Sequence, residues 1–199
     1  MVKRARGRPR QFDEVTAVEA AGNVFWANGF SATSLDDLAE AMGMNRPSIY
    51  GAFGDKEALY RRALAQFGSR MEGAMRQTLY ANADVRKALM NFFRQALAIY
   101  VSGPQPKGCL VMSTAVSAAV SHPEIQFDLL AVIQTIDAKI EERFQQAVKS
   151  GELPPDFDTS ARAAIAQSVL HSLSLRARAG ERKAKLNRLL RSGVELVFS

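Results

Sequence analysis

The chain has few residues that could staple a fold or hold a metal. Cys109 is its single cysteine, and His122 and His171 are its two histidines. One thiol cannot close an intrachain disulfide, and a structural zinc site needs about four ligands. No metal and no other cofactor is expected. No apolar run approaches the ~20 residues that cross a bilayer. Met1-Val2-Lys3-Arg4 is basic, but no apolar signal core follows. No membrane partner is read, and a cytoplasmic location is expected. A Gly-rich phosphate cradle is missing, and so is any Ser/His/Asp or Cys/His spacing that would activate a nucleophile. These absences argue against an enzyme. No credible strand pattern occurs either, which leaves helices.

What is present is helical periodicity over most of 199 residues, 47% of them hydrophobic, enough for a packed core. Asp13 caps a first helix ending near Asn28, with Val15, Val18, Gly22 and Phe25 as its inner stripe and Trp26 beside it. Gly22 costs about 1 kcal/mol against Ala in a helix, which suggests another helix packed closely there. Two short helices lie between Ser34 and Phe53. A long fourth runs from Asp55 to about Tyr80 with Leu59, Ala63, Phe67, Met71 and Met75 inward. It outruns a three-helix head and would join it to the remainder without a flexible linker. Further helices are read from Asp84 to about Val101, Cys109 to Val120, Pro123 to about Ser150, Asp158 to about Ala179, and Glu181 to Val197. The expected fold is all-α, with about nine helices.

Ser34 to Tyr60 carries the functional signal. Ser34 or Thr33 caps the first short helix, with acidic Asp36 and Asp37 at capping-box spacing. Leu35, Leu38, Ala39 and Met42 fall on one face, and Gly43 ends the helix. Asn45 caps the second, Pro47 sits in its first turn, and Ile49 and Phe53 point inward. Arg46, Ser48, Tyr50 and Gly51 therefore point outward. Two turns of helix do not hold themselves up in water, so this helix must be braced by neighbours and used for its exposed face. That is the logic of a helix-turn-helix, whose second helix enters the DNA major groove.

The net charge is +6, but its placement says more than its size. Lys3, Arg4, Arg6, Arg8 and Arg10 form an acid-free arm suited to a minor groove or to phosphates. A solvated, disordered tail is the other reading of that arm. Residues 13–57 are otherwise acidic, with Arg46 and Lys56 as their two cations.

The order of residues in Gly29-Phe30-Ser31-Ala32-Thr33-Ser34-Leu35, Leu38-Ala39, Gly43, Ser48-Ile49-Tyr50, Phe53 and Lys56-Glu57-Ala58-Leu59 resembles the amino-terminal domain of the TetR/AcrR transcriptional repressors. The likeness is tight over about residues 12–62 and elsewhere covers only length and helical character. It implies an N-terminal helix-turn-helix head, residues 1–54, and a C-terminal helical domain for effector binding and dimerisation, residues 55–199. It also implies a homodimer on a palindromic double-stranded operator, released by a small-molecule effector. In the family, the positions of Tyr50 and Lys56 contact phosphates. Thr33 at a helix amino end also suits a phosphate. Arg46 and Ser48 face bases or phosphates. The DNA-contacting set is then Arg6, Arg8, Arg10, Thr33, Arg46, Pro47, Ser48, Tyr50, Gly51 and Lys56. Gly51-Ala52 departs from relatives, which commonly carry polar or aromatic residues after the tyrosine. A helix-turn-helix adaptor that binds a protein is the alternative function.

For the C-terminal part, the apolar faces after Asp158 exceed what one bundle core needs, which suits a four-helix interface between two copies. Its expected residues are Ile165, Val169, Ser172, Leu186, Leu189, Leu190 and Val194. An effector pocket is expected among Phe93, Leu97, Tyr100, Cys109, Met112, Val116, Phe127, Leu130, Gln134, Gln167 and His171, with a filled core as the competing use of the same residues. Cys109 follows Lys107-Gly108 and opens a helix, which would favour a reactive thiolate. The plainer reading of a lone cysteine is a small buried hydrophobe.

Overall fold

A computed structural model describes residues 13–81, 84–103 and 105–199. The described residues form nine helices and no strand: α1 (Glu14–Asn28), α2 (Leu35–Met42), α3 (Arg46–Phe53), α4 (Lys56–Leu79), α5 (Val85–Tyr100), α6 (Leu110–Ala118), α7 (Pro123–Lys149), α8 (Thr159–Arg178) and α9 (Lys183–Val197).

Caps set most of the boundaries. Asp13, Ser34, Asn45, Asp55, Asp84 and Asp158 each accept a hydrogen bond from a backbone N–H in the first turn they precede. Ser34 and Asp37 complete a reciprocal capping box, which satisfies two donors that the helix itself leaves orphaned. Gly43 closes α2 in the left-handed region at φ 60°. Helix α6 starts and stops inside the expected span, and α9 begins at Lys183 rather than Glu181.

Helix α4 is the shared beam. Its first half carries α1 and, through α1, the α2–α3 pair. The helix also packs on α5 and α7, the latter from Arg61, which pairs with Asp128, to its end at Leu79 beside Arg143. The aromatic cluster Phe25, Phe30 and Tyr60 fills the joint, with Phe25 edge-on to Tyr60 at 4.9 Å between centroids. The buried stripe of α1 is Ala17, Val18, Ala21, Gly22 and Phe25, and Val15 is exposed. The stripe therefore starts at Ala17 and not at Val15, whose carbonyl oxygen accepts from Gln66 on α4. Helix α4 does come close at Gly22: a Cβ there would sit 3.5 Å from the Ala63 Cβ, an ordinary contact.

Helices α8 and α9 close the far side. They cross so tightly that a Cβ on Gly193 would meet Val169 Cγ1 at 2.5 Å. Helix ends meet around Arg143, which is buried and donates from Nε to the Leu79 carbonyl at 2.9 Å. Glu152 accepts from the first N–H of α5 and sits 3.5 Å from the Arg143 guanidinium. The turn after α7 is thereby tied to the end of α4 and the start of α5.

Candidate functional site

The head presents α3 as the sequence suggests. Ile49 and Phe53 are buried, while Arg46, Pro47, Ser48, Tyr50 and Gly51 are exposed. A Cβ added at Gly51 would meet nothing within 4 Å, so its outer side is open space. The Arg46 guanidinium forms a two-pronged ion pair with Asp36, with Nε donating to Oδ1 at 2.7 Å. Hydrogen bonding to Arg46 holds the Asp36 carboxyl below its usual range. The pairing ties α2 to α3 across the turn, and DNA would have to compete with Asp36 for the arginine. Ten residues separate the two, so only the closed turn reveals the pair.

Two contacts differ from the expectation. Thr33 is buried, and its hydroxyl donates to the Gly29 carbonyl at 2.6 Å. The exposed hydroxyl at that helix end is the cap, Ser34. Thr33 is thus a loop brace and not a surface for phosphate. Lys56 donates from Nζ to the carbonyls of Phe30 and Thr33, both at 3.1 Å, and lies 4.5 Å over the Phe30 ring. Two of its three donors are occupied in holding the loop that leads into α2. The arm residues Arg6, Arg8 and Arg10 lie outside the described residues.

The body contains a cavity of ≈ 70 Å³ between α4, α5, α6, α7 and α8. Tyr100, Cys109, Met112, Gln167 and His171 line it, as expected. Phe93 and Leu97 do not; both are buried in the core behind it. Val116, Phe127, Leu130 and Gln134 are corrections of a different kind. They face outward, with Phe127 69% and Leu130 52% exposed: α7 turns Ile125, Val132 and Ile136 inward instead, and α6 turns Val111, Thr114 and Ala115 inward in place of Val116. Most of the wall that sequence reasoning missed comes from α4 and α7, including Phe67, Met71, Met75, Val132 and Ile136, with Phe92, Val111 and Leu170 added from α5, α6 and α8. The inward spacing of those residues was visible, but not that the two stripes face one another.

Polar groups in the wall are few. Burial drives the Tyr100 hydroxyl well above its ordinary range, as does its neighbour Cys109, to which it is hydrogen-bonded. Burial also pushes the Cys109 thiol up. Lys107 does not oppose this, since its ammonium lies 5.6 Å over the Trp26 ring. Burial thus favours the protonated thiol over the thiolate that the Lys-Gly-Cys start would favour, and Cys109 sits in the wall as a small buried side chain. Burial lowers the pKa of His171 and keeps its ring neutral.

The cavity is linked to the head by short bonds. Tyr60 on α4 donates its hydroxyl to Thr114 on α6 at 2.6 Å, because the Thr114 hydroxyl itself donates to the Leu110 carbonyl. Trp26 on α1 donates to the Lys107 carbonyl at 3.2 Å, and Arg178 donates to both Trp26 and Lys107 carbonyls. Glu57, in the first turn of α4, meets His122 Nδ1 at 2.8 Å. Arg178 is thus part of this joint.

On α8 and α9, Leu186, Leu190 and Val194 are buried within the chain and are not available to a second copy. They fill the seam against α5 and α8. Ile165 is 39% exposed, and Val169, Ser172 and Leu189 are half-buried. Leu175 and Leu196 are exposed as well. An outward strip of small and apolar residues therefore runs along both helices.

An all-helical chain with a braced, exposed second helix after a tight turn is a helix-turn-helix DNA-binding transcriptional regulator. Residues 17–63 match the model of bacterial regulatory proteins of the tetR family, and residues 85–192 match the tetracyclin repressor-like C-terminal domain. The chain belongs to the TetR family, whose members among its relatives are transcriptional regulators and not enzymes. It is 30% identical over 186 residues to the HTH-type transcriptional repressor ComR of Escherichia coli K12, covering 93% of this chain and 89% of that one. It is 31% identical over 109 residues to the repressor BdcR of the same strain, covering 55% of each. Among solved structures, a cysteine mutant of the TetR family regulator CifR in complex with 26-bp operator DNA has a TM-score of 0.88 and 31% identity, covering 94% of this chain and 98% of that one. No helix among the described residues is long and apolar enough to cross a membrane.

Proposed function

We propose that this chain is a homodimeric repressor that leaves its operator when a small molecule fills the cavity between α4 and α8. The exposed face of α3 carries the reading. It is a two-turn helix whose buried side is anchored by Ile49 and Phe53, so that Pro47, Ser48, Tyr50 and Gly51 face outward for a groove, with Arg46 beside them once DNA displaces Asp36. In this reading residues 1–54 bind DNA, the basic arm adds Arg6, Arg8 and Arg10, and residues 55–199 bind effector and partner copy. Helix α6, which lines the cavity through Val111 and Met112, also bears Thr114, which holds Tyr60 on α4. Helix α4 begins at Lys56, which holds the loop into α2. A ligand that shifts α6 therefore bears on the placement of α3, and it acts by its difference in affinity between the two arrangements.

The outward strip of α8 and α9 supports the dimer. Two copies paired there would set two reading helices on half-sites about one helical turn, ~34 Å, apart or a multiple of it. The experiment is fluorescence anisotropy with duplexes from the chain's own upstream region, across a salt series, with sedimentation velocity on the same samples. Binding should weaken steeply with salt. Ile165→Glu should sediment as a monomer and lose palindromic DNA. A wild-type monomer that binds a single palindrome tightly would refute the dimer, and binding of no duplex at all would refute the repressor.

A further inference from the structure

We infer that the cavity selects small, uncharged molecules carrying a hydrogen-bond donor, and that Gln167 Oε1 is the acceptor that reads it. The inference rests on the effector reading above and adds the chemical class of ligand.

Gln167 sits in the middle of α8 and is 2% exposed. Its Nε2 lies 3.2 Å from His171 Nε2, one turn along the helix. Burial lowers the histidine's pKa and favours the neutral ring. The amide nitrogen is the atom that faces it, so the ring Nε2 is the acceptor and the ring proton sits on Nδ1, while the amide carbonyl oxygen is the end not engaged by the histidine. Gln167 Oε1 is buried and has no hydrogen-bond partner. A buried amide oxygen without a donor is rare in native proteins and points to an absent partner.

Two of the other polar wall groups are already engaged. Tyr100 is bonded to Cys109, and Thr135 donates to the Ala131 carbonyl at 2.8 Å. The remaining surface is mostly apolar side chain, such as Met71, Phe92 and Ile136. The one charged residue of the lining is Glu72, which is solvent-exposed. A buried ammonium or carboxylate would meet no opposite charge inside and would be disfavoured by desolvation. What fits is an apolar body with one O–H or N–H. The ≈ 70 Å³ volume is about half that of an engineered ~150 Å³ cavity known to hold benzene, so ligands of about three to five heavy atoms fit without rearrangement.

The test uses two isomers of the same size, 1-butanol and methyl propyl ether, titrated into the full-length protein and followed by protein-observed NMR. The alcohol should bind about tenfold or more tightly, the discrimination expected of one buried acceptor left unmatched by the ether. Butylammonium and propionate, which match the alcohol in heavy atoms, should bind at least tenfold more weakly than the alcohol. Gln167→Met keeps the shape and removes the acceptor, and it should bring the alcohol-to-ether ratio to about one. If that variant does not fold, the wild-type ratio alone decides. Equal affinity for the two isomers, or tighter binding of either ion, would overturn the inference. Binding of neither isomer would overturn it too, because water would then satisfy Gln167. Operator affinity is measured separately. A tenfold preference without any change in operator affinity would leave the inference standing and count against the effector reading.

Discussion

Gly108 stands where the loop from α5 enters α6, and replacing it with alanine tests how the cavity is built. Its φ is +69°, and a Cβ would come within 2.7 Å of the Ser174 carbonyl oxygen and 2.8 Å of the Ser113 hydroxyl. The first obstacle is backbone on α8, which cannot swing aside. The next residue donates its N–H to the Ser174 hydroxyl at 2.8 Å, so α6 is pinned to α8 at this point. Two costs add. A left-handed conformation costs a non-glycine residue about 1–2 kcal/mol, and overpacking costs about 1–3 kcal/mol. The expected loss is about 2–5 kcal/mol, a large part of the ~5–15 kcal/mol that holds an ordinary domain together. Gly151 supplies the control, because its φ is +76° and a Cβ there would meet nothing within 4 Å. Gly151→Ala should lose only the conformational part. Both substitutions restrict the unfolded chain alike, so that effect cancels in the comparison. The assay is urea unfolding of both variants and the wild type at one protein concentration, since dimerisation would shift the midpoints. If Gly108→Ala unfolds no more readily than Gly151→Ala, the close approach of α6 to α8 is not as described.

Three further outcomes are expected. Lys56→Ala should weaken binding to all duplexes alike, lower the salt slope by about one if its third donor meets a phosphate, and lower the thermal midpoint because the loop into α2 loses its brace; Arg46→Ala should relax preference at one base position and leave the midpoint unchanged, and the reverse pattern in a binding-site selection would count against the docking. Burial raises Tyr60 to about 12, ahead of any effect of its neighbours. Its neutral form is thus favoured in the fold, so stability is whole below the unfolded tyrosine pKa near ~10 and falls by up to about 3 kcal/mol as pH rises from there to about 12; Tyr60→Phe should flatten that loss, and an unchanged alkaline profile would show that Tyr60 is not responsible. Iodoacetamide should label Cys109 slowly in the native protein up to pH ~8.5 and quickly in denaturant; rapid native labelling at pH 7 would contradict its burial.

Much of the head can be read along the chain because its determinants are local. A cap such as Ser34 or Asn45 acts on a backbone N–H two or three residues away, and Gly43 needs only its own φ. Ile49 and Phe53 lie one turn apart, so their shared side, and hence the outward side bearing Arg46 and Tyr50, follows from helix geometry. The resemblance to a known family rests on those same residues. The body is different, because its functional residues are set by which helix faces which. Periodicity marks the apolar stripe of α7, but Phe127 and Leu130 flank it, and only the packing of α7 on its neighbours leaves them in solvent. On α9 the same amphipathic stripe could serve a core or a partner copy. The close crossing at Gly193 decides for the core at Leu186, Leu190 and Val194 and leaves the outer strip exposed. Lys56, Thr33 and Cys109 have the residue types for surface or redox chemistry. Tertiary neighbours decided otherwise: two carbonyls occupy the lysine, one carbonyl holds the threonine, and enclosure by α5 and α8 keeps the proton on the thiol. The unpaired oxygen of Gln167 has no trace in the sequence, because a hydrogen bond that is not made depends on every element around it.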